Sequence, residues 1–272
     1  MNKIVSMAMI SLFFNISFAA QAMSPMDRAF QLYQQRSNMT AARQARDIYA
    51  SIIKDSHAKV EQRLEAMTRY GRLALWEGAI ATEISKLSTK ESAKLFDACM
   101  DLTEYISPKK IKRETPEYAY WRAACIGLWA ANIKPAKAAL HIGKIKEMKG
   151  LVEQGIRQFR DFDNNGFDRI HAGMLFKSKA LSIMDLYHPD QALTVINQVI
   201  QKGTNIYMTY VLKAQILHHL NRGKEALTAL DEGIAELNQR FTQNGIPQDL
   251  VLENMIFLEN MNSYKNELTA KN

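Results

Sequence analysis

Acidic and amide side chains at alternating positions are the residues of this chain that most resemble a chemical site. Asp161, Asp163 and Asn165 are followed by Gly166, the order in which the first half of a calcium loop supplies oxygens and then turns sharply. The second half departs from that order. Asp168 stands where an apolar residue is usual, and Ala172 stands where a bidentate Glu would complete the coordination. Without that carboxylate, calcium affinity would be poor, so the pattern predicts a structural turn and no metal. His218 and His219 are neighbours on a predicted helix and project about 100 degrees apart, so they cannot chelate one ion from one face. Glu61 and Glu65 share a helical face rich in polar residues, where solvated charge is the expectation and a general acid would lack the burial it needs.

No His-Glu-x-x-His run, glycine-rich phosphate loop or Gly-x-Ser-x-Gly elbow occurs in the 272 residues. The expectation is therefore a chain that is not an enzyme and takes no cofactor. Cys99 and Cys125 are the only two cysteines. Each lies a similar distance from the turn at residues 107–114, so antiparallel helices would bring them level. That arrangement suits a disulfide in an oxidising compartment and equally suits two small buried thiols in a helix seam.

The elements that would position any site are helical. Ala, Leu, Ile, Lys and Glu dominate, only 6 Pro and 12 Gly are present, and no segment alternates as a half-buried strand does. Between Met174 and Leu237 the sequence repeats at a spacing of 34 residues. Ala180 matches Ala214, Lys179 matches Lys213 and Ile183 matches Leu217. Ala192-Leu193-Thr194 recurs as Ala226-Leu227-Thr228, followed by Ile196 matching Leu230. Small residues at this spacing suit the closest crossing of two packed helices. The two turns, residues 187–190 and 221–224, hold Pro, Asn and Gly.

This period and these anchors resemble the tetratricopeptide repeat (TPR) family, most closely over residues 212–237, with Tyr210, Ala214, Leu217, Ala226 and Leu230 on packing positions. Gly233 departs from the family's usual Ala, and helix propensity alone predicts a loss of about 1 kcal/mol there. The resemblance implies an all-α fold, an antiparallel helix-pair solenoid or superhelix whose units share a continuous core. Its clearest repeats run from about 171 to 237, and a capping helix spans about 248–268. The concave side of such an array takes a protein, a peptide or a small ligand. The residues that would line it are Trp121 and Arg122, then Met174 and Lys177, then Met208, Gln215 and His219, although Trp121 fits a core position equally well. The Lys and Asn set with which TPR domains clamp a terminal carboxylate is not in place, because Leu181 and Gln215 stand where Asn would be wanted.

Residues 1–22 read as a secretory signal. Lys3 supplies the positive end, Ile4 to Phe18 the apolar run, and Ala20-Gln21-Ala22 the small-x-small cleavage site. The run is shorter than the roughly 20 residues of a spanning helix and contains Ser6, Ser11, Asn15 and Ser17. The expected product is a single helical domain over 23–272, exported and periplasmic in a Gram-negative host, with no stable membrane span. The net charge is +7, one less once Lys3 is removed, which gives weak attraction to anionic surfaces. Nucleic acid is not an expected partner of an exported chain. The dense run Lys109-Lys110-Ile111-Lys112-Arg113 reads as a solvated loop.

A second resemblance, extending over about two thirds of the mature chain, is carried by residues 117–156 and 162–177. Tyr120-Trp121, Gly127-Leu128-Trp129-Ala130, a long helix with Ile145 and Met148, then Gly166, Arg169 and Gly173 resemble the T-component proteins of tripartite ATP-independent periplasmic (TRAP) transporters. That likeness implies a periplasmic helical protein that partners a substrate-binding protein, sometimes as a trimer. The chain lacks a lipid-attachment Cys and has one Gly where a pair would be expected, which weakens transfer of the transporter role more than of the fold. The sequence thus points to an exported binding scaffold, a transporter-associated adaptor in its sharpest form. A hydrolase or transglycosylase accessory acting on the cell wall, and a homo-oligomeric structural subunit of an envelope assembly, stand as alternatives.

Overall fold

In the computed structural model, which describes residues 23–177 and 187–271, the chain is all-helical, with no strand among the described residues. The helices are α1 (Pro25–Gln34), α2 (Met39–Lys54), α3 (Val60–Leu75), α4 (Thr82–Ser85), α5 (Thr89–Thr103), α6 (Pro108–Ile111) and α7 (Pro116–Ala131). They continue as α8 (Pro135–Leu140), α9 (Ile142–Gln158), α10 (Gly166–Lys177), α11 (Pro189–Gln201), α12 (Met208–His219), α13 (Gly223–Thr242) and α14 (Val251–Lys271). The starts are written in the sequence. Ser24, Asn38, Ser88 and Thr115 each cap a helix with a side-chain oxygen, and Glu91 completes a capping box with Ser88. Pro opens α1, α6, α7, α8 and α11, where its missing N–H costs nothing.

Most of the long helices pack on their neighbours in chain order: α1 on α2, α2 on α3, α5 on α7, α7 on α9, and then α10 through α13 in succession to α14. Two clusters of buried apolar side chains result. The first gathers α1, α2, α3, α5, α7 and α9 around Tyr49, Met67, Phe96 and Trp121. The second gathers α11, α12, α13 and α14 around Ile196, Tyr207, Leu230 and Met261.

Two elements serve both clusters. The helix that begins as α3 loosens into a π-turn, Trp76–Ile80, in which Ala81 N–H donates to Trp76 O at 2.8 Å, and Trp76 and Ile80 pass into the second cluster. Glu77, buried in this turn, is neutralised by Arg43 at 2.7 Å and by Arg46. Helix α10 likewise gives Phe167 and Met174 to the first cluster and Ala172 and Leu175 to the second.

The 34-residue period has a physical counterpart. Ala192 and Ala226 are both fully buried, as are Ile196 and Leu230. Thr194 and Thr228 each donate a hydroxyl hydrogen bond to the carbonyl four residues earlier, Asp190 and Lys224, both at 3.1 Å. Ala214 is buried in the same cluster as Ala226, and α12 packs along α13. Asn221 adopts φ 60°, the left-handed conformation that its turn requires. Lys179, Ala180 and Ile183, which match Lys213, Ala214 and Leu217, lie outside the described residues, as do Leu181 and residues 1–22 with the signal segment read there.

Gly233 corrects the reading from propensity. A Cβ built on it would lie 2.6 Å from the Tyr210 ring and 2.8 Å from Met261 Sδ. The glycine therefore lets α12 and α14 approach α13, and the contact outweighs the helix penalty. Gly233→Ala should lower stability by about 1 to 3 kcal/mol through overpacking, where propensity alone predicts a gain of about 1 kcal/mol. Urea unfolding midpoints of the two proteins decide between them.

Cys99 and Cys125 are joined by a disulfide with their Cα atoms 6.0 Å apart, tying α5 to α7 inside the first cluster. Closing a loop across a separation of 26 residues is worth about 3 to 4 kcal/mol in the chain-entropy account. Replacing both cysteines by Ala should lower the unfolding free energy by roughly that amount. In the intact chain, thiol reagent under denaturing conditions should label neither sulfur until reductant is added.

Candidate functional site

The acidic loop is a structural hub. Asp163, Asn164 and Asn165 are consecutive left-handed residues, with φ 51°, 55° and 59°. L-residues resist this conformation, and Asp and Asn tolerate it best. Arg169, one turn into α10, holds the loop by donating to the carbonyls of Asn164 and Asp163, the latter at 2.7 Å, and to the Asp163 carboxylate at 2.9 Å. That carboxylate also accepts the Tyr120 hydroxyl at 2.7 Å and the Arg72 guanidinium at 3.2 Å. Burial, and then the charge of Asp163, push the Tyr120 hydroxyl far above its ordinary pKa. Burial opposes the charge on Arg72, but Asp163, Tyr33 and Asp249 more than offset it, and the guanidinium is held charged. Asp168, where a calcium loop would be apolar, is buried and paired with Arg160 at 3.0 Å.

The hub reaches across the fold. Arg72 also donates to Asp249 at 2.6 Å, and Arg36 makes a paired contact with Glu253, its Nη2 at 2.6 Å and Nε at 3.0 Å. Trp76 Nε1 donates to the carbonyl of Arg36 at 3.0 Å. Asn205 donates to Asn164 at 3.1 Å and accepts from Arg240 at 2.8 Å, while Asn254 donates to the Asn205 carbonyl at 2.8 Å. A polar seam thus joins α1, α3, the 159–165 loop, α13 and the first turn of α14.

The residues proposed for a groove do not share one surface. Trp121 and Met174 are core, 2 % and 5 % exposed, so they are not on an open surface. The Trp121 ring lies on Gly71, where a Cβ would come within 2.2 Å, and α3 and α7 close over it. Arg122 is half-buried and fully engaged, bound to Glu147 at 2.8 Å, Glu104 at 2.7 Å and the Met100 carbonyl at 2.9 Å. Lys177 closes α10. Met208, Gln215 and His219 fall on one stripe of α12, and this stripe is open: Met208 and His219 are exposed, and Gln215 is partly so.

The His219 ring meets the Phe176 ring of α10 edge-on at 5.4 Å and the Tyr187 ring at 5.9 Å, and its Nε2 is hydrogen-bonded to the Tyr187 hydroxyl. The structure therefore brings α10 and α12 together at this surface, through Phe176 and Tyr187 rather than Met174. Phe176 lies 34 residues before Tyr210, a match through which the repeat itself could have pointed to it.

Beside this surface, between α9, α10 and α11, lies a cavity of about 270 Å³ lined by Lys149, Glu153, His171, Met174 and His188. Burial holds the His171 imidazole below its usual pKa, which favours the neutral ring. Among the described residues no three His, Cys, Asp or Glu side chains converge as metal ligands. Glu61 and Glu65 are exposed and paired singly with Arg113 and Arg69.

Compared with known proteins, the chain matches no family model and no curated sequence.

With both Asp163 oxygens held by Arg72, Arg169 and Tyr120, millimolar calcium should leave the melting temperature unchanged. Asp163→Asn, which leaves two buried guanidinium groups short of a counter-charge, should cost about 3 kcal/mol in urea unfolding. A calcium-dependent rise in melting temperature of the wild type would contradict this assignment.

Proposed function

We propose that this chain is an exported, non-enzymatic TPR-like solenoid that binds a protein or peptide partner, an adaptor of the kind that works beside a transporter in the periplasm. The observation that carries the reading is the equivalence of α11 and α13. Two helices 34 residues apart bury the same positions and repeat the same threonine back-bond, as expected of copies of one structural unit stacked on a shared core. The resemblance to the T-component proteins supplies the transporter setting, and the segment 1–22 supplies the export route.

The partner surface is the α12 stripe of Met208, Gln215 and His219, continued over the Phe176 ring of α10. A Met and two aromatic rings with a histidine and an amide suit an amphipathic helix or an extended peptide more than a highly charged ligand. The opposite side of α12 is already used internally, since Lys213 is paired with Glu232 at 3.5 Å.

Site-specific photo-crosslinkers test this reading. Placed at Met208 or Gln215, they should capture one and the same envelope protein, and His219→Ala should reduce that capture at least fivefold while circular dichroism shows the chain still helical and folded. Equal capture from a position on the outer face of α13 would overturn the assignment of the surface. Turnover of cell-wall substrate by the purified chain would overturn the non-enzymatic reading itself.

A further inference from the structure

A second exposed feature lies at the corner between α8 and α9, far in sequence from the α12 stripe. Leu140 is 83 % exposed and Ile142 is 42 % exposed, the two largest apolar side chains of a four-residue run, 140–143, that lies wholly at the surface. Helix α8 ends at His141, whose backbone, with φ −109° and ψ 36°, breaks the helix before α9 begins. The corner is braced from below. The His141 ring packs edge-on against Trp129 at 5.2 Å, and Lys144 lies over the same indole at 4.7 Å while pairing with Asp97 at 3.2 Å. The His141 ring is thus anchored on Trp129 while its neighbours 140 and 142 are presented to solvent.

The charges that α8 and α9 carry beside the two apolar side chains are mostly basic, and the carboxylates that meet them, Asp97 and Glu147, are paired with Lys144 and Arg122. Residues 134–149 contain Lys134, Lys137, Lys144, Lys146 and Lys149 against a single acid, Glu147, and that carboxylate is taken by Arg122. Lys134, Lys137 and Lys146 are exposed. Lys137 lies three residues before Leu140, and Lys146 four residues after Ile142, so each apolar side chain has a lysine beside it on its own helix face. Apolar side chains flanked by lysines on an exposed helical corner match the interfacial region of an anionic bilayer. There the alkyl groups enter the acyl boundary and the ammonium groups reach the headgroup phosphates.

We propose that the α8–α9 corner docks the protein on an anionic lipid surface, with Leu140 and Ile142 inserted and Lys134, Lys137 and Lys146 on the headgroups. The corner shares no residue with the α12 stripe, so the surface is additional to the partner site and does not depend on it.

Vesicle sedimentation tests the proposal, using the chain from Met23 onward, which holds the described fold and lacks the apolar run at Ile4–Phe18. The protein should sediment with phosphatidylglycerol-containing vesicles and not with pure phosphatidylcholine, and the binding should weaken as salt is raised. Leu140→Ser with Ile142→Ser should lower the partition coefficient at least tenfold at an unchanged melting temperature, and Lys134→Gln with Lys137→Gln and Lys146→Gln should lower it comparably. Leu140→Trp supplies an independent reading, because Trp76, Trp121 and Trp129 are all buried. Its emission should shift to shorter wavelength when anionic vesicles are added. Three results would overturn the proposal: no binding to anionic vesicles, as for a surface that meets a protein; binding unchanged by the two serine substitutions, as for adsorption by net charge alone; or no emission shift in the Leu140→Trp variant.

Discussion

One guanidinium, that of Arg72, ties α3 to the middle of the chain and to the segment that enters the last helix. It lies between Asp163 and Asp249, carboxylates that belong to a loop in the middle of the sequence and to the segment entering the last helix. Burying charges is expensive unless each is paired and its remaining hydrogen-bonding capacity is filled. Here Asp163 accepts from Arg72, Arg169 and Tyr120, and Glu253 takes a two-pronged contact from Arg36. The same set of bonds holds three successive residues in the left-handed conformation, a local strain that persists only where the surroundings over-determine it. An apolar replacement could match the stability of such a seam but would leave the register of α14 on α1 and α3 unspecified.

The seam also explains why the repeat unit alone does not describe the molecule. Packing that proceeds from helix to neighbouring helix would leave α1 and α14 unrelated. Instead α14 contacts α12, α13 and the π-turn that follows α3, and its first turn is bonded to Arg36, two residues past the end of α1. Trp76 belongs to the second apolar cluster although it continues a helix of the first. The π-turn is where that continuation becomes feasible, because an extra residue in the helical turn alters the face that the following side chains present.

How much of this was legible in the sequence depended on the range of the interaction. Caps, proline starts and helical periodicity are local: Ser88 with Glu91, Thr115 with Pro116 and the turn at Asn221 each carry their signal within a few residues. Asp163 read as part of a structural turn, yet its partner Arg72 lies 91 residues away and Asp249 lies 177 residues from Arg72, distances at which one sequence carries no pairing signal. Trp121 was ambiguous because an aromatic residue at helical spacing looks alike on a groove and in a core. The absence of a Cβ at Gly71, fifty positions earlier, decides it. At Gly233 propensity pointed the other way, since the term that prevails is a close approach by Tyr210 and Met261 from two other helices. Met208, Gln215 and His219 were legible on one helix face, and Phe176 was reachable through its 34-residue match to Tyr210, but its contact with His219 needed the packing of α10.

The central claim is that buried ionic contacts between distant segments, and not only neighbour-to-neighbour packing, hold the chain in this form. A double-mutant cycle on Arg36→Met and Glu253→Met, read by urea unfolding, measures it most directly, because the two residues are 217 positions apart and interact only if the ends meet as described. The account predicts a coupling energy of at least about 1.5 kcal/mol, the lower range for close buried charge pairs. Additive effects, with coupling within about 0.5 kcal/mol of zero, would contradict it.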